Sequence, residues 1–336
     1  MADRKRLSVP VVFADRVFMA EKSLTEISLL GGYFWAEAKD PLDLAEKLNG
    51  SPSVRVIVSE YVPVNALVLE KSPGLKGVIA YGAGYDHLDV ELLAKNGVQV
   101  CNCEGQNAQA VAELTFGLLL CLLRRIHQSD RWVRDSEWPE AGRALPGWIT
   151  GRELWRKTLG IIGLGQIGSR VARIANGFDM KIVAYDPFIQ PPSHIKSSSL
   201  EEVLAQADIL TLHIPLTPRT EKMIDSRALA GMKPKAILVN TSRGGVIDER
   251  ALLEALKDGR ILGAALDVFS SEPISGEHSL ARMENVVLSP HIGAMTHEAG
   301  ERLSDSVARQ VHDILEGHPP ECLINSNVER EVRDVE

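Results

Sequence analysis

His291, Glu272 and Arg243 each follow a short apolar run of β-prone residues, at 286–288, 261–266 and 236–239 respectively, and together they carry three complementary chemistries. An imidazole titrates near neutrality and can give or take a proton. A carboxylate beside it favours the protonated ring and fixes its tautomer. A Glu272–His291 pair therefore makes His291 an acid toward a carbonyl oxygen and a base in the reverse direction. The planar fork of Arg243 matches a carboxylate and offsets negative charge developing on an oxygen. Gly244 and Gly245 beside it leave room for a ligand. Taken singly, each residue also fits a structural role: a hydrogen-bonded histidine, an interdomain salt bridge, a turn at Glu272-Pro273. Placement of all three at strand ends favours a reaction centre. His87, His127 and His297 keep the structural reading, and His213, two residues before Pro215, fits either a cofactor contact or a shaped turn.

A second constellation says what such a centre works with. In Lys157-Thr-Leu-Gly-Ile-Ile-Gly163-Leu-Gly165-Gln-Ile-Gly168 a β-prone run meets three glycines and then apolar residues at helical spacing (Ile167, Val171, Ile174, Phe178). The spacing predicts strand, tight turn and helix. Gly163 permits the turn, Gly165 lets a pyrophosphate approach the backbone, and Gly168 lets the helix pack on its strand. Exposed helix N–H groups favour the anion. A following strand at 181–185 ends in Asp186, 23 residues after Gly163, where an acid accepts hydrogen bonds from a ribose diol and repels a ribose phosphate. NAD is thus expected over NADP.

The elements that must position these groups alternate between β runs and helical segments. Strands are expected at 10–13, 54–58, 75–80 and 98–101, then after the glycine turn at 209–212, 236–239, 261–266 and 286–288. Such alternation implies parallel sheets wrapped by helices, with ligands at the carboxyl ends of strands. There the first half places Ser59-Glu60-Tyr61 and Gly82-Ala83-Gly84-Tyr85-Asp86, whose backbone could hold a carboxylate. Residues 107–126 read as one helix, apolar on most faces and therefore buried. Residues 127–153, with Trp132, Trp138 and Trp148, read as an arm or long loop, a partner surface or else a packed cluster of rings. A helix at 296–316 follows, with Leu303, Val307, Val311 and Ile314 on one face. The expected organisation is α/β with two doubly wound parallel-sheet domains: a substrate domain of 1–105 plus 293–336, a nucleotide domain of 106–292 inserted into it, and the substrate in a cleft between them.

At 336 residues the chain can fill two cores. A net charge of −8 and a pI near 5.7 give no general attraction to nucleic acid or anionic membrane. No signal peptide or bilayer-spanning run is read, so the expected location is the cytoplasm. Cys101-Asn-Cys103 lacks zinc-site spacing, no metal site is expected, and the cysteines read as free buried thiols.

The chain resembles the NAD-dependent D-isomer-specific 2-hydroxyacid dehydrogenases over about residues 54–325. The marks are Asn107-Ala-x-x-Val-Ala-Glu113, Gly163-Leu-Gly-Gln-Ile-Gly168, His213-Ile-Pro-Leu-Thr-Pro218, Asn240-Thr-Ser-Arg-Gly-Gly245, Leu266-Asp-Val-Phe-Ser-Ser-Glu-Pro273 and Pro290-His-Ile-Gly293. The resemblance implies a Rossmann NAD domain inserted into a flavodoxin-like substrate domain, and Arg243, Glu272 and His291 as the catalytic set. NAD contacts are implied at Gly163, Gly165, Gln166, Ile167, Gly168, Asp186, His213, Pro215, Thr241, Ser242, Arg243, Asp267, His291 and Gly293. Substrate contacts are implied at Ala83, Gly84, Asn107 and Arg243, and a homodimer through the NAD domain. In phosphoglycerate dehydrogenases the 58–60 segment resembles a place where an arginine meets the substrate phosphate, whereas here Glu60 would repel a dianion. The expected substrate is a small unphosphorylated 2-oxo acid such as glyoxylate or hydroxypyruvate. Glu272 separates the chain from formate dehydrogenases, which carry glutamine there. A D-3-phosphoglycerate dehydrogenase is the alternative substrate reading, and an NAD-sensing corepressor the alternative of another class.

Overall fold

In a computed structural model, which describes residues 8–140, 143–193 and 195–325, the chain divides into two compact units. One runs to Asn107 and resumes at Ala294; the other is Ala108–Gly293.

The first unit alternates strand and helix from its start: β1 (Val11–Phe13), α1 (Glu21–Leu29), β2 (Tyr33–Trp35), α2 (Pro41–Leu48), β3 (Val56–Ser59), α3 (Ala66–Glu70), β4 (Gly77–Ala80), α4 (Val90–Lys95) and β5 (Gln99–Asn102). The strands form one parallel sheet in the order β2-β1-β3-β4-β5, the flavodoxin-like arrangement. Successive side chains point to opposite faces. Val12, Ile57, Val78 and Val100 therefore enter one apolar core, and Val11, Phe13, Val56, Val58 and Ile79 the other. Covering on both faces is what makes near-continuous Val/Ile runs stable as strands. The edge strand β2 was not expected: it is three half-buried aromatic residues rather than a buried aliphatic run. Its Trp35 stacks on Phe13 with ring centroids 4.3 Å apart.

The second unit holds α5 (Ala108–Leu123), α6 (Ile126–Arg134), β6 (Thr158–Ile162), α7 (Gln166–Gly177), β7 (Lys181–Tyr185), β8 (Lys196–Ser197), α8 (Leu200–Gln206), β9 (Ile209–Leu212), α9 (Ser226–Gly231), β10 (Ile237–Asn240), α10 (Glu249–Lys257), β11 (Gly263–Leu266) and β12 (Val286–Leu288). Its seven strands are parallel in the order β12-β11-β10-β9-β6-β7-β8. The order reverses between β6 and β9, which opens a crevice at the strand ends, the place where dinucleotides bind on Rossmann sheets. Phe116, Leu119 and Leu123 of α5 pack on Ile161, Val239 and Ala265 of one sheet face. Burying each such side chain contributes about 1.5–3 kcal/mol.

Several expectations need correction here. The single helix expected over 107–126 stops at Leu123, and Arg125 takes a left-handed conformation (φ 52°) before α6 begins. Part of the expected arm is thus helix, and among its rings Trp132 meets Trp148 edge-on at 5.8 Å. The two-residue strand β8 lies in what read as loop. Cys101 and Cys103 are buried free thiols, whereas Cys121 and Cys322 are only half-buried.

The last helix, α11 (His297–Glu316), belongs to the first unit, where Leu303, Val307, Val311 and Ile314 close one core. Among the described residues no helix is long and apolar enough to cross a membrane, and no cluster of His, Cys, Asp and Glu could hold a metal ion.

Candidate active site

The glycine turn after β6 obeys steric demands that differ at each glycine. Gly163 has φ +91°, and a Cβ there would lie 2.4 Å from the carbonyl oxygen of His213. At Gly168 a Cβ would lie 2.0 Å from the carbonyl oxygen of Gly163, so α7 can dock on its strand only without one. At Gly165 a Cβ would meet nothing within 4 Å: the backbone there faces open space. Gly165 is also the N-cap of α7 and offers no side chain to the first N–H groups. Unsatisfied N–H groups, open space and a helix dipole form a cradle that fits a pyrophosphate.

Asp186 ends β7 beside this turn. Its Oδ2 accepts from Leu164 N at 2.7 Å, and its Oδ1 accepts from Phe188 N and Ile189 N at 2.8 and 2.9 Å. The carboxylate is thereby fixed at the mouth of the cradle, and an ionised carboxylate has lone pairs left for a diol. Gln166 is exposed at the start of α7, where its Oε1 accepts from Arg170, and Ile167 is half-buried. His213 follows β9. Its backbone N donates to Ile162 O, its Nε2 lies 2.9 Å from Thr211 Oγ1, and Nδ1 is buried without a hydrogen-bond partner among the described residues. Burial pushes its pKa down to about 3, so the ring is neutral. Pro215 is exposed just beyond it.

Arg243 leaves a turn after β10 that Asn240 braces from both sides. Asn240 Oδ1 accepts from Ser242 N and Ser242 Oγ at 3.0 and 2.8 Å, while its Nδ2 donates to Arg243 O at 2.9 Å. Thr241 ties the turn to α5 through Thr115, with 3.0 Å between hydroxyl oxygens. Arg243 Nη1 donates to Ser242 O at 2.8 Å. Gly244 packs backbone to backbone against the next strand's loop: a Cβ there would stand 1.9 Å from the carbonyl carbon of Phe269.

That loop carries Glu272. Its Oε1 accepts from Phe269 N at 2.9 Å, and its Oε2 lies 2.8 Å from His291 Nδ1. The pair expected from residue type and strand-end position is thus in contact. The bond to Glu272 raises the His291 pKa above its usual 6.5; burial and the Arg243 charge act against this, while the charges of Glu272 and Asp267 add to it. Burial of Glu272 favours its neutral form, but hydrogen bonds from His291 and Phe269 N, with the charges of His291 and Arg243, outweigh burial and lower its pKa. Arg243 is thus close enough to act electrostatically on both members of the pair.

His291 sits in the left-handed region at φ 53°, a conformation costing about 1–2 kcal/mol for a residue with a side chain. Asp267 holds it there. This aspartate is 1% exposed; its Oδ1 accepts from Ser289 Oγ at 2.5 Å and Ile292 N at 2.9 Å, its Oδ2 from Gly293 N at 2.8 Å, and its backbone carbonyl from His291 N at 2.9 Å. Removing the carboxylate would orphan buried donors at a cost of about 1–3 kcal/mol each. The resemblance implies Asp267 as a cofactor contact; within the protein its carboxylate shapes the turn that presents His291. The same holds for the Thr241 and Ser242 side chains, both buried in the Arg243 turn. Asn240 was absent from the expected site. Its signal was an asparagine opening a strand-end turn, a residue type that hydrogen-bonds neighbouring backbone.

Ala83, Gly84 and Asn107 fall in the first unit. Ala83 O accepts from Asn102 Nδ2 at 2.8 Å, which fixes the glycine loop after β4. Asn107 Oδ1 is buried and has no hydrogen-bond partner among the described residues. In the neighbouring loop Asp15 gathers Ser59 Oγ, Glu60 N, Tyr61 N and Val62 N within 2.7–3.2 Å. Tyr81 N donates to Ser59 O, so the Glu60 loop and the glycine loop are adjacent. Burial raises the Tyr81 pKa and the Glu60 charge adds to it.

A family model described as D-isomer specific 2-hydroxyacid dehydrogenase, NAD binding domain, matches residues 116–293. The chain is 40% identical over 304 residues to a glyoxylate reductase of Thermococcus litoralis, covering 88% of this chain and 90% of the relative. It is 36% identical over 304 residues to a D-3-phosphoglycerate dehydrogenase of Synechocystis, covering 89% of this chain and 54% of the relative. The structure of the NADPH-dependent glyoxylate/hydroxypyruvate reductase of Sinorhizobium meliloti in complex with NADP and malonate matches with a TM-score of 0.83 at 26% identity, covering 95% of this chain and 97% of that one. Identity of this order over most of both chains, with a family model running through Arg243, Glu272 and His291, shows that the chain belongs to the D-isomer specific 2-hydroxyacid dehydrogenases, the NAD(P)-dependent enzymes of 2-hydroxy acids.

Proposed function

We propose that the protein reduces a small unphosphorylated 2-oxo acid, glyoxylate or hydroxypyruvate, to the 2-hydroxy acid, with Arg243, Glu272 and His291 as its catalytic residues. The observation that carries this is the 2.8 Å His291–Glu272 pair, within electrostatic reach of Arg243. The glycine turn at Gly163, Gly165 and Gly168, with Asp186, would hold NADH, which would supply the hydride for the carbonyl carbon. Asp186 supports NADH over NADPH, since a fixed carboxylate favours a free diol and opposes a phosphate.

His291, held protonated by Glu272, delivers a proton to the carbonyl oxygen, and Arg243 offsets the negative charge that grows there. Its fork also suits the substrate carboxylate. Further substrate contacts are assigned to Ala83, Gly84 and Asn107; the buried, unpartnered Asn107 Oδ1 supports the last. Further cofactor contacts are assigned at Gly163, Gly165, Gln166, Ile167, Gly168, His213, Pro215, Thr241, Ser242, Asp267 and Gly293. The preference for an unphosphorylated acid rests on Glu60, whose loop adjoins the glycine loop and whose charge opposes an added dianionic phosphate. The identity to a glyoxylate reductase supports the same choice.

We also assign a homodimer through the second unit. Ile126, Val133, Trp138 and Leu145, on α6 and in the segment after it, are all at least half exposed, apolar side chains that a second copy would cover. Free thiols at all four cysteines suit a reducing compartment, and the cytoplasm is the proposed location.

The test is initial-rate NADH and NADPH oxidation with glyoxylate, hydroxypyruvate, pyruvate and 3-phosphohydroxypyruvate. The expected result is the highest kcat/KM for glyoxylate or hydroxypyruvate with NADH. Preference for the phosphorylated acid would overturn the reading of Glu60 and favour a D-3-phosphoglycerate dehydrogenase.

A further inference from the structure

The loop at 269–272 is held by two carboxylates on consecutive N–H groups. Glu272 takes Phe269 N with its own Oε1, leaving Oε2 for His291. Glu249, the first residue of α10, takes Ser270 N with Oε1 at 2.6 Å. The Glu249 side chain is 19% exposed, and its Oε2 lies 3.7 Å from His278 Nε2. Ser270 and Ser271 are exposed, so the span between Phe269 and Glu272 has little core packing to fix it. On the other side, the backbone at Phe269 rests directly on Gly244, next to Arg243. One short segment therefore sets both the approach of Glu272 to His291 and the seating of the Arg243 turn.

We propose that Glu249 is a positioning residue: by anchoring Ser270 N it keeps the Glu272 carboxylate on His291 and so keeps the ring protonated for ketone reduction. The inference rests on the reading of His291 as the proton donor. Without the anchor, Ser270 N turns to water, the loop gains freedom, and the Glu272 oxygen leaves the short distance at which it favours the charged ring. The charges of Glu272, Arg243 and Asp267 act on His291, and His278 faces Glu249. The Arg243 charge opposes protonation of the ring. Loss of the Glu272 contact therefore moves the balance toward the neutral form.

The test compares Glu249→Ala, Glu249→Gln and Glu249→Asp. Glutamine keeps an acceptor oxygen at the same reach, whereas aspartate keeps the charge and falls a methylene short. His291 is followed by NMR titration, its resonance identified by its absence in His291→Ala, alongside the pH dependence of kcat for reduction. In Glu249→Ala and Glu249→Asp the His291 midpoint is expected to fall toward 6.5 and kcat to drop about tenfold, as for a displaced catalytic group, with KM little changed. Glu249→Gln is expected to restore both. If Glu249→Ala does not fold, the contrast between Asp and Gln decides. Wild-type titration of His291 in Glu249→Asp would overturn the inference, even with a lowered melting temperature. A shifted midpoint with wild-type kcat at every pH would uphold the positioning and instead contradict His291 as the donor.

Discussion

His291→Ala is expected to lower turnover for 2-oxo acid reduction by about two to four orders of magnitude, the range lost when a positioned general acid is removed. The imidazole is the titrating group that the 2.8 Å bond to Glu272 keeps charged above its usual range, and the Asp267 network holds it in a left-handed conformation with a local cost. A residue held in such a conformation by buried hydrogen bonds is placed for its side chain. KM for the oxo acid is expected to change little, because the fork of Arg243 remains to meet the carboxylate. Steady-state kinetics with saturating NADH measure both quantities. Turnover at the wild-type level would remove His291 from the mechanism.

Glu272→Gln is expected to move the alkaline limb of reduction to lower pH. Reduction uses the protonated imidazole, so rate is full below the His291 pKa and falls as pH rises through it. Glu272 is the largest cause of the raised value, by hydrogen bond and then by charge. Glutamine can still accept from Nδ1 and keep the tautomer, but carries no charge. The folded pKa then falls, and on the alkaline side a limb displaced by one pH step lowers the rate roughly tenfold. The side chains of both partners are 31% exposed, so solvent screens the pair and the displacement is smaller than for a dry one. Oxidation of the hydroxy acid needs the neutral ring and is expected to gain rate at lower pH in the same variant. The measurement is log kcat against pH in both directions. Unmoved limbs would show that Glu272 does not set the histidine's protonation.

The legibility of the fold follows a physical line. Strands carried by runs of Val, Ile and Leu covered on both faces were visible because burial forces composition, and every candidate site residue of the second unit outside the glycine turn lies close after one. β2 and β8 were not visible, because the first is three half-buried aromatic residues and the second two exposed polar ones, without the buried aliphatic run that marks the other strands. The break at Arg125 was missed because apolar periodicity runs on from α5 and no Gly or Pro marks the turn. Chemistry-bearing types at strand ends exposed Arg243, Glu272 and His291. The residues that aim them, Asn240 and Glu249, act through backbone N–H and carbonyl groups, whose directions depend on tertiary packing. Asp267 was found but given only a contact role, because nothing local in sequence shows that its two oxygens reach 22 to 26 residues along the chain to Ser289, Ile292 and Gly293.

The most direct test of the central claim is to reduce hydroxypyruvate with NADH dideuterated at C4 and examine the product by mass spectrometry and chiral separation. Hydride transfer to the carbonyl carbon by a D-isomer specific enzyme predicts D-glycerate carrying one deuterium at C2. Unlabelled product, L-glycerate, or no reduction of any 2-oxo acid would contradict the account.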